Sequence, residues 1–133
     1  MDHQELDRLI KDFLDVARIS GFPLSQRQIE FRVLSAPHRQ PSRLPAGKKA
    51  IYVFSAKDCY LKVGKAGPNT QARFTSQHYN SKSTKSNLAK SMLKSKALLK
   101  SRLPSVSQLE IDQLSEQNVK SWIEDNTTRY HFS

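Results

Sequence analysis

Residues 49–64 read Lys49-Ala50-Ile51-Tyr52-Val53-Phe54-Ser55-Ala56-Lys57-Asp58-Cys59-Tyr60-Leu61-Lys62-Val63-Gly64. Two β-rich runs, Lys49–Phe54 and Tyr60–Val63, flank a polar segment, which is the pattern of a β-hairpin. With Ser55–Cys59 as a five-residue loop, Phe54 pairs with Tyr60, Tyr52 with Lys62 and Ile51 with Val63. One face then carries Ile51, Val53, Leu61 and Val63 and is expected in the core. The other carries Tyr52, Phe54, Tyr60 and Lys62 and is expected within reach of a ligand. A one-residue slip would mix the two sets, so this register is preferred.

On the C-terminal side, Gly64 and Gly67-Pro68 turn the chain out of the hairpin. Asn69 or Thr70 is placed to cap a helix that begins near Gln71, carries Arg73 in its first turn and closes at His78 and Tyr79. A longer helix is predicted over 83–103, with Leu88, Met92 and Leu99 near one face and lysines over much of the rest. Pro104 ends it, and Leu109–Gln113 reads as a linker or short turn. Ser115 is placed to cap a helix with Val119, Trp122 and Ile123 inward and Asn126 at its stop. Thr127–Phe132 then has the character of a third strand.

On the N-terminal side, Leu6, Leu9, Ile10, Phe13, Leu14 and Ala17 recur at helical spacing over 3–19, and Gly21 and Pro23 stop that helix. Residues 25–34 fit two readings. Ser25 and Gln28 would form a capping box, and Ile29, Phe31 and Val33 alternate as in a strand. Three prolines and a glycine over 35–47 make a connector. The expected organisation is an N-terminal helical extension with its connector over 1–44, and a domain over 45–133. Its class is α/β (α+β): a small three-stranded antiparallel sheet flanked by helices.

Charge is partitioned along the chain. The 133 residues hold 22 Lys+Arg and 12 Asp+Glu, a formal +10. Residues 1–44 contribute +1, residues 45–105 contribute +12 with Asp58 as their one acid, and residues 106–133 contribute −3. Ordinary surfaces mix both signs, so the middle segment suits a polyanion such as a nucleic-acid backbone. Lys65, Lys85, Lys90, Lys94 and Arg102 are the candidate phosphate contacts. One cysteine, Cys59, excludes a disulfide framework and a cysteine zinc site. No apolar run is long enough to span a membrane, and the acidic start MDHQELDRL is not a signal peptide. These features point to the cytoplasm.

The run Ala50-Ile51-Tyr52, then Lys62-Val63-Gly64, then Arg73 resembles the GIY-YIG nuclease superfamily over about residues 45–133. Ala50 stands at the first glycine, Ile51 and Tyr52 match, Lys62 replaces the second tyrosine, Val63 replaces isoleucine, and Gly64 matches. The string from AIYVF through YLKVGKAGPNTQARFTSQHYN to the lysine helix is similar to small bacterial and prophage members. The resemblance implies an endonuclease hydrolysing DNA phosphodiesters with Mg²⁺ or Mn²⁺, in a setting of mobile elements, phage or restriction-like defence. It implies Tyr52 as general base or water-orienting group. It also implies Arg73 as the contact to the scissile phosphate, through a guanidinium fork. Lys62, beside Tyr52 in the register above, is placed to lower a phenol that is otherwise a poor base at a pKa of about 10. His78 is a candidate proton relay or phosphate contact, and Tyr79 a packing or orienting residue.

The same resemblance puts the metal-binding glutamate on a helix after the third strand. TTRYHF is followed here by Ser133 alone, so the metal ligand is unknown. Four explanations stand. The chain is a piece of a longer nuclease; it is a member that binds nucleic acid, DNA or RNA, without cleaving it; another glutamate substitutes; or a homodimer or partner chain completes the fold. Glu124 is the nearest acid, but it precedes the strand.

Overall fold

The computed structural model describes residues 2–21, 24–44, 46–57, 59–83 and 87–133. The chain is α+β and divides by contacts into two units, Met1–Glu30 and Phe31–Ser133. Helix α1, His3–Ile19, lies in the first unit. Asp2 and Glu5 form a capping box at its start: the Glu5 N–H donates to Asp2 Oδ1 at 2.7 Å, and the Asp2 N–H donates to Glu5 Oε2 at 3.2 Å. Residues 26–28 form one 3₁₀ turn, and Gln28 Oε1 accepts from the Ser25 N–H, which is one half of the expected capping box.

The second unit is built on an antiparallel sheet of four strands: β1 (Phe31–Leu34), β2 (Ala50–Ala56), β3 (Cys59–Ala66) and β4 (Thr128–Phe132), in the order β1-β4-β2-β3. Three strands are expected from the sequence, and β1 is the fourth. Both readings of 25–34 therefore hold in part, a turn followed by a strand. The division expected near residue 44 lies instead after Glu30, because β1 pairs with β4 and Leu44 is buried in the core.

The hairpin forms, but its register and its faces differ from expectation. Ala56 pairs with Cys59, so the strands run closer to the turn than a five-residue loop permits. Phe54 pairs with Lys62, Val53 with Val63, and Tyr52 with Gly64. A bulge beside Phe54/Ser55 leaves Leu61 as the extra residue and places Tyr60 opposite Ser55 rather than Phe54, moving it to the other face. The core lies against Tyr52 and Phe54, which are buried, whereas Ile51 is 42% and Val63 64% exposed. The apolar set was the expected inner face. Ile51, Val53 and Val63 of it lie on the outer face because the helices pack over Tyr52 and Phe54, while Leu61, the bulged residue, packs against the core.

Those helices are α2 (Gln71–Phe74), α3 (Leu88–Lys94), α4 (Lys96–Arg102), α5 (Gln108–Asp112) and α6 (Val119–Asn126). The predicted single helix over 83–103 is two helices, broken at Ser95 (φ −121°, ψ 45°). Asn87 caps α3 by accepting from the Lys90 N–H. The segment expected as a linker near 109–113 is α5, started by the Ser107 hydroxyl accepting from the Glu110 N–H. Lys96 Nζ donates to the Asp112 and Leu114 carbonyls at its far end, where helix carbonyls lack backbone partners. Val119, Trp122 and Ile123 of α6 are buried, as their spacing predicts. Among the described residues no helix is long and apolar enough to cross a membrane.

Candidate functional site

Tyr52 is 2% exposed and its hydroxyl lies 2.5 Å from His78 Nε2. His78 sits in a 3₁₀ turn, Gln77–Tyr79, that follows α2. Its Nδ1 accepts the Leu88 N–H at the start of α3. An accepting Nδ1 carries no proton, so the neutral ring carries its proton on Nε2 and donates to Tyr52. Burial, then the charges of Lys62, Arg129 and Arg73, hold the His78 pKa down to about 4. His78 is therefore neutral near pH 7 and orients Tyr52 from within the core, at 1% exposure, rather than meeting a phosphate at the surface.

Gly64 lies opposite Tyr52 in the register. A Cβ there would collide with the Tyr52 ring and hydroxyl, so the glycine of Lys62-Val63-Gly64 is the floor on which the phenol rests. Burial raises the Tyr52 pKa, with Arg129 and Arg73 pulling it down by less. This corrects two expectations. Tyr52 is buried rather than open to ligand, and its phenol is not lowered by Lys62, which pairs with Phe54 two residues away.

Arg73 is exposed on α2. Lys62, half-buried on β3, faces the same side as Tyr52 and Phe54. Arg73 acts on both Tyr52 and His78, and Lys62 on His78. Both cations thus lie near enough to His78 for their charges to disfavour its protonated form. Beside α2 lies an open concavity of about 450 Å³ lined in part by Arg43, Gln71 and Thr75. Gln71 ties α2 to the connector, accepting from the Leu44 N–H and donating to the Leu44 carbonyl.

Beneath the site is a residue that strand alternation hides. In Thr128-Arg129-Tyr130-His131-Phe132, a period of two suggests Tyr130 and Phe132 inside and Arg129 and His131 outside. The structure does the reverse for the two polar residues: Arg129 is 0% exposed. Its carbon Cζ lies 4.8–5.0 Å from the Tyr52, Phe54 and Phe74 ring centroids and 5.9 Å from that of Tyr79. Nη2 donates to the Phe74 carbonyl and Nη1 to the Tyr79 hydroxyl. Tyr79 in turn donates to His38 Nε2 at 2.7 Å, and His38 Nδ1 donates to the Thr127 carbonyl at 2.8 Å. Tyr79 is accordingly a buried link between Arg129 and His38. His131 pairs with Tyr52 across β2 and β4 and packs on Phe74. Burial, then Arg129, lowers its pKa to about 3. The remaining signal for Arg129 and His131 is their place in a strand that shares a face with Tyr52.

The surface cations are a mixed set. Lys65, Lys94 and Arg102 are exposed and Lys90 is half-buried. Lys85 lies outside the described residues. Lys100 pairs with Asp112 at 2.6 Å.

The donor set does not suit a divalent metal. The charges acting on Tyr52 and His78 are cationic, whereas Mg²⁺ takes oxygen ligands that usually include one or two carboxylates. Among the described residues no three His, Cys, Asp or Glu side chains are grouped to hold a metal ion. Glu124 acts on His38 and Tyr79 and accepts from the Gln40 N–H, which ties it to the connector. A comparison with protein-family models, with curated proteins and with solved structures finds no match for this chain.

Proposed function

We propose that this chain is a GIY-YIG-type endonuclease domain acting on DNA, and that Arg73 and Lys62 engage the phosphodiester above a buried Tyr52. The observation that supports this reading is placement. Of the residues that the sequence resemblance selects, Tyr52 and Lys62 lie on one side of the β2–β3 pair, and Lys62 and exposed Arg73 both lower the pKa of the His78 that bonds Tyr52. Exposed Arg73 takes the phosphate with its planar fork. Lys62 adds a second positive charge where the phosphorane develops. His78 donates to Tyr52, which leaves the phenol's own proton free to be donated. A phenol held above its ordinary pKa is neutral near pH 7. Tyr52, buried beneath the site, therefore supports it through its bond with His78 and does not act as the base.

A second reading is favoured by the cationic donor set: the domain binds DNA backbone without cutting it. One experiment separates the two. Supercoiled plasmid is incubated with the protein and Mg²⁺ or Mn²⁺, and binding to a fluorescein-labelled duplex is followed by anisotropy across salt. The endonuclease reading expects metal-dependent nicking that Arg73→Ala and Tyr52→Phe abolish. Salt-sensitive binding weakened by the same variants, with no nicking, selects the binding module. Binding that is absent, or indifferent to Arg73→Ala, overturns both.

A further inference from the structure

Helix α2 is a single turn of four residues, and Thr70 at its start makes no side-chain cap to it. One turn is not stable alone, because nucleation costs more than its few hydrogen bonds return. Its position must come from outside. Gln71 supplies one anchor, to Leu44. The other is at the opposite end: Arg129 Nη2 donates to the carbonyl of Phe74, the residue that follows Arg73. The same guanidinium holds the Tyr79 hydroxyl and lies against the Tyr52 ring, which belongs to the adjacent strand.

This is an expensive way to fill a core. A buried charge is costly unless well paired, and packed apolar side chains of similar volume often serve stability as well or better. Here the offset comes from four aromatic faces and from two hydrogen bonds. Arg129 Nε is buried with no partner among the described residues. What the arginine provides that an apolar residue lacks is geometry: one rigid plane that touches α2, the Tyr79 turn and β2 together.

We propose that Arg129 is a positioning residue that locks the Arg73-bearing turn to the Tyr52 strand and so fixes where Arg73 meets a phosphate. The consequence for binding rests on the DNA reading of the site. The anchoring itself does not. Lysine at this position keeps the charge, but it offers a point donor in place of the fork.

The test is a double-mutant cycle read by anisotropy on a labelled DNA duplex, with amide hydrogen exchange on the same proteins. Arg129→Lys is expected to weaken binding about tenfold, or about 1.4 kcal/mol. In an Arg73→Ala background it is expected to cost less than about twofold, because it acts through Arg73. Equal losses in the two backgrounds overturn the proposal. Exchange is expected to speed at the amides of residues 73–76 while those of β2 and β3 stay protected. Uniform loss of protection marks a merely structural role and also overturns it. Should Arg129→Lys not fold, Tyr79→Phe removes one of the two acceptors and runs the same cycle: a loss that vanishes with Arg73→Ala supports the proposal, and an additive loss refutes it. If the wild-type protein binds no DNA, the functional reading falls, and the exchange pattern alone decides the anchor.

Discussion

Tyr52 and His78 share one short hydrogen bond, 2.5 Å from hydroxyl oxygen to Nε2, and His78 is its donor because Leu88 occupies its other nitrogen. The bond joins β2 to the turn after α2. It fixes the protonation state of the histidine and the direction of the phenol's proton at once.

The first consequence is a pH dependence of stability. The folded His78 pKa is about 4 against an ordinary 6.5. The unfolded chain therefore binds a proton between these values that the folded protein refuses. The stabilisation is complete above pH 6.5 and is lost as pH falls toward 4. It amounts to about 3 kcal/mol for this group. His131, lowered to about 3, adds in the same direction. Urea unfolding between pH 4 and 7 should show this slope, and His78→Gln should reduce it. A flat profile would mean that His78 is not held neutral.

Tyr52 should ionise late. Its phenol and that of Tyr79 lie above the ordinary value of 10, in both cases through burial first. Absorbance titration of tyrosinate should show a late-titrating fraction, and Tyr52→Phe should remove part of it. The same substitution leaves the His78 donor unpaired in the core, which costs about 1–3 kcal/mol. Unchanged stability would argue against the hydrogen bond.

Gly64→Ala should destabilise the protein by about 1–3 kcal/mol, since the new methyl overlaps the Tyr52 ring. The effect should shrink in a Tyr52→Ala background, where the space is open. Chemical denaturation of the four proteins completes the cycle. Equal costs in both backgrounds would show that the glycine is needed for another reason.

The lysines of α3 and α4 should separate into two kinds. Lys94 is exposed, and its replacement by alanine should lower the slope of log K against log salt for DNA binding by about 0.9 with little change in stability. Lys96 is occupied by the Asp112 and Leu114 carbonyls. Lys96→Met should instead cost about 1–3 kcal/mol of folding free energy and leave the salt slope nearly unchanged. The two measurements together check the assignment.

Much was legible in the sequence by itself. The stripe of leucines predicts α1 at the residues where it forms. The β-rich runs predict the hairpin, the Val119/Trp122/Ile123 spacing predicts the buried face of α6, and Thr127–Phe132 contains β4. Tyr52 and His78, both singled out in the sequence, meet through one hydrogen bond. These features are local: periodicity, turn residues and propensity act within a few residues of one another. Only the tertiary structure decided which side of the sheet is inside. Both faces of β2 and β3 carry large apolar groups, so alternation marks two faces without ranking them, and the helices cover the one with Tyr52 and Phe54. That choice buries Tyr52 and raises its pKa. It brings Arg129 under four aromatic rings although a charged residue beside Tyr130 reads as outward. The bulge at Leu61 depends likewise on a cross-strand pairing that no single strand specifies. Burial is a property of what packs against a residue, and that partner can lie anywhere along the chain.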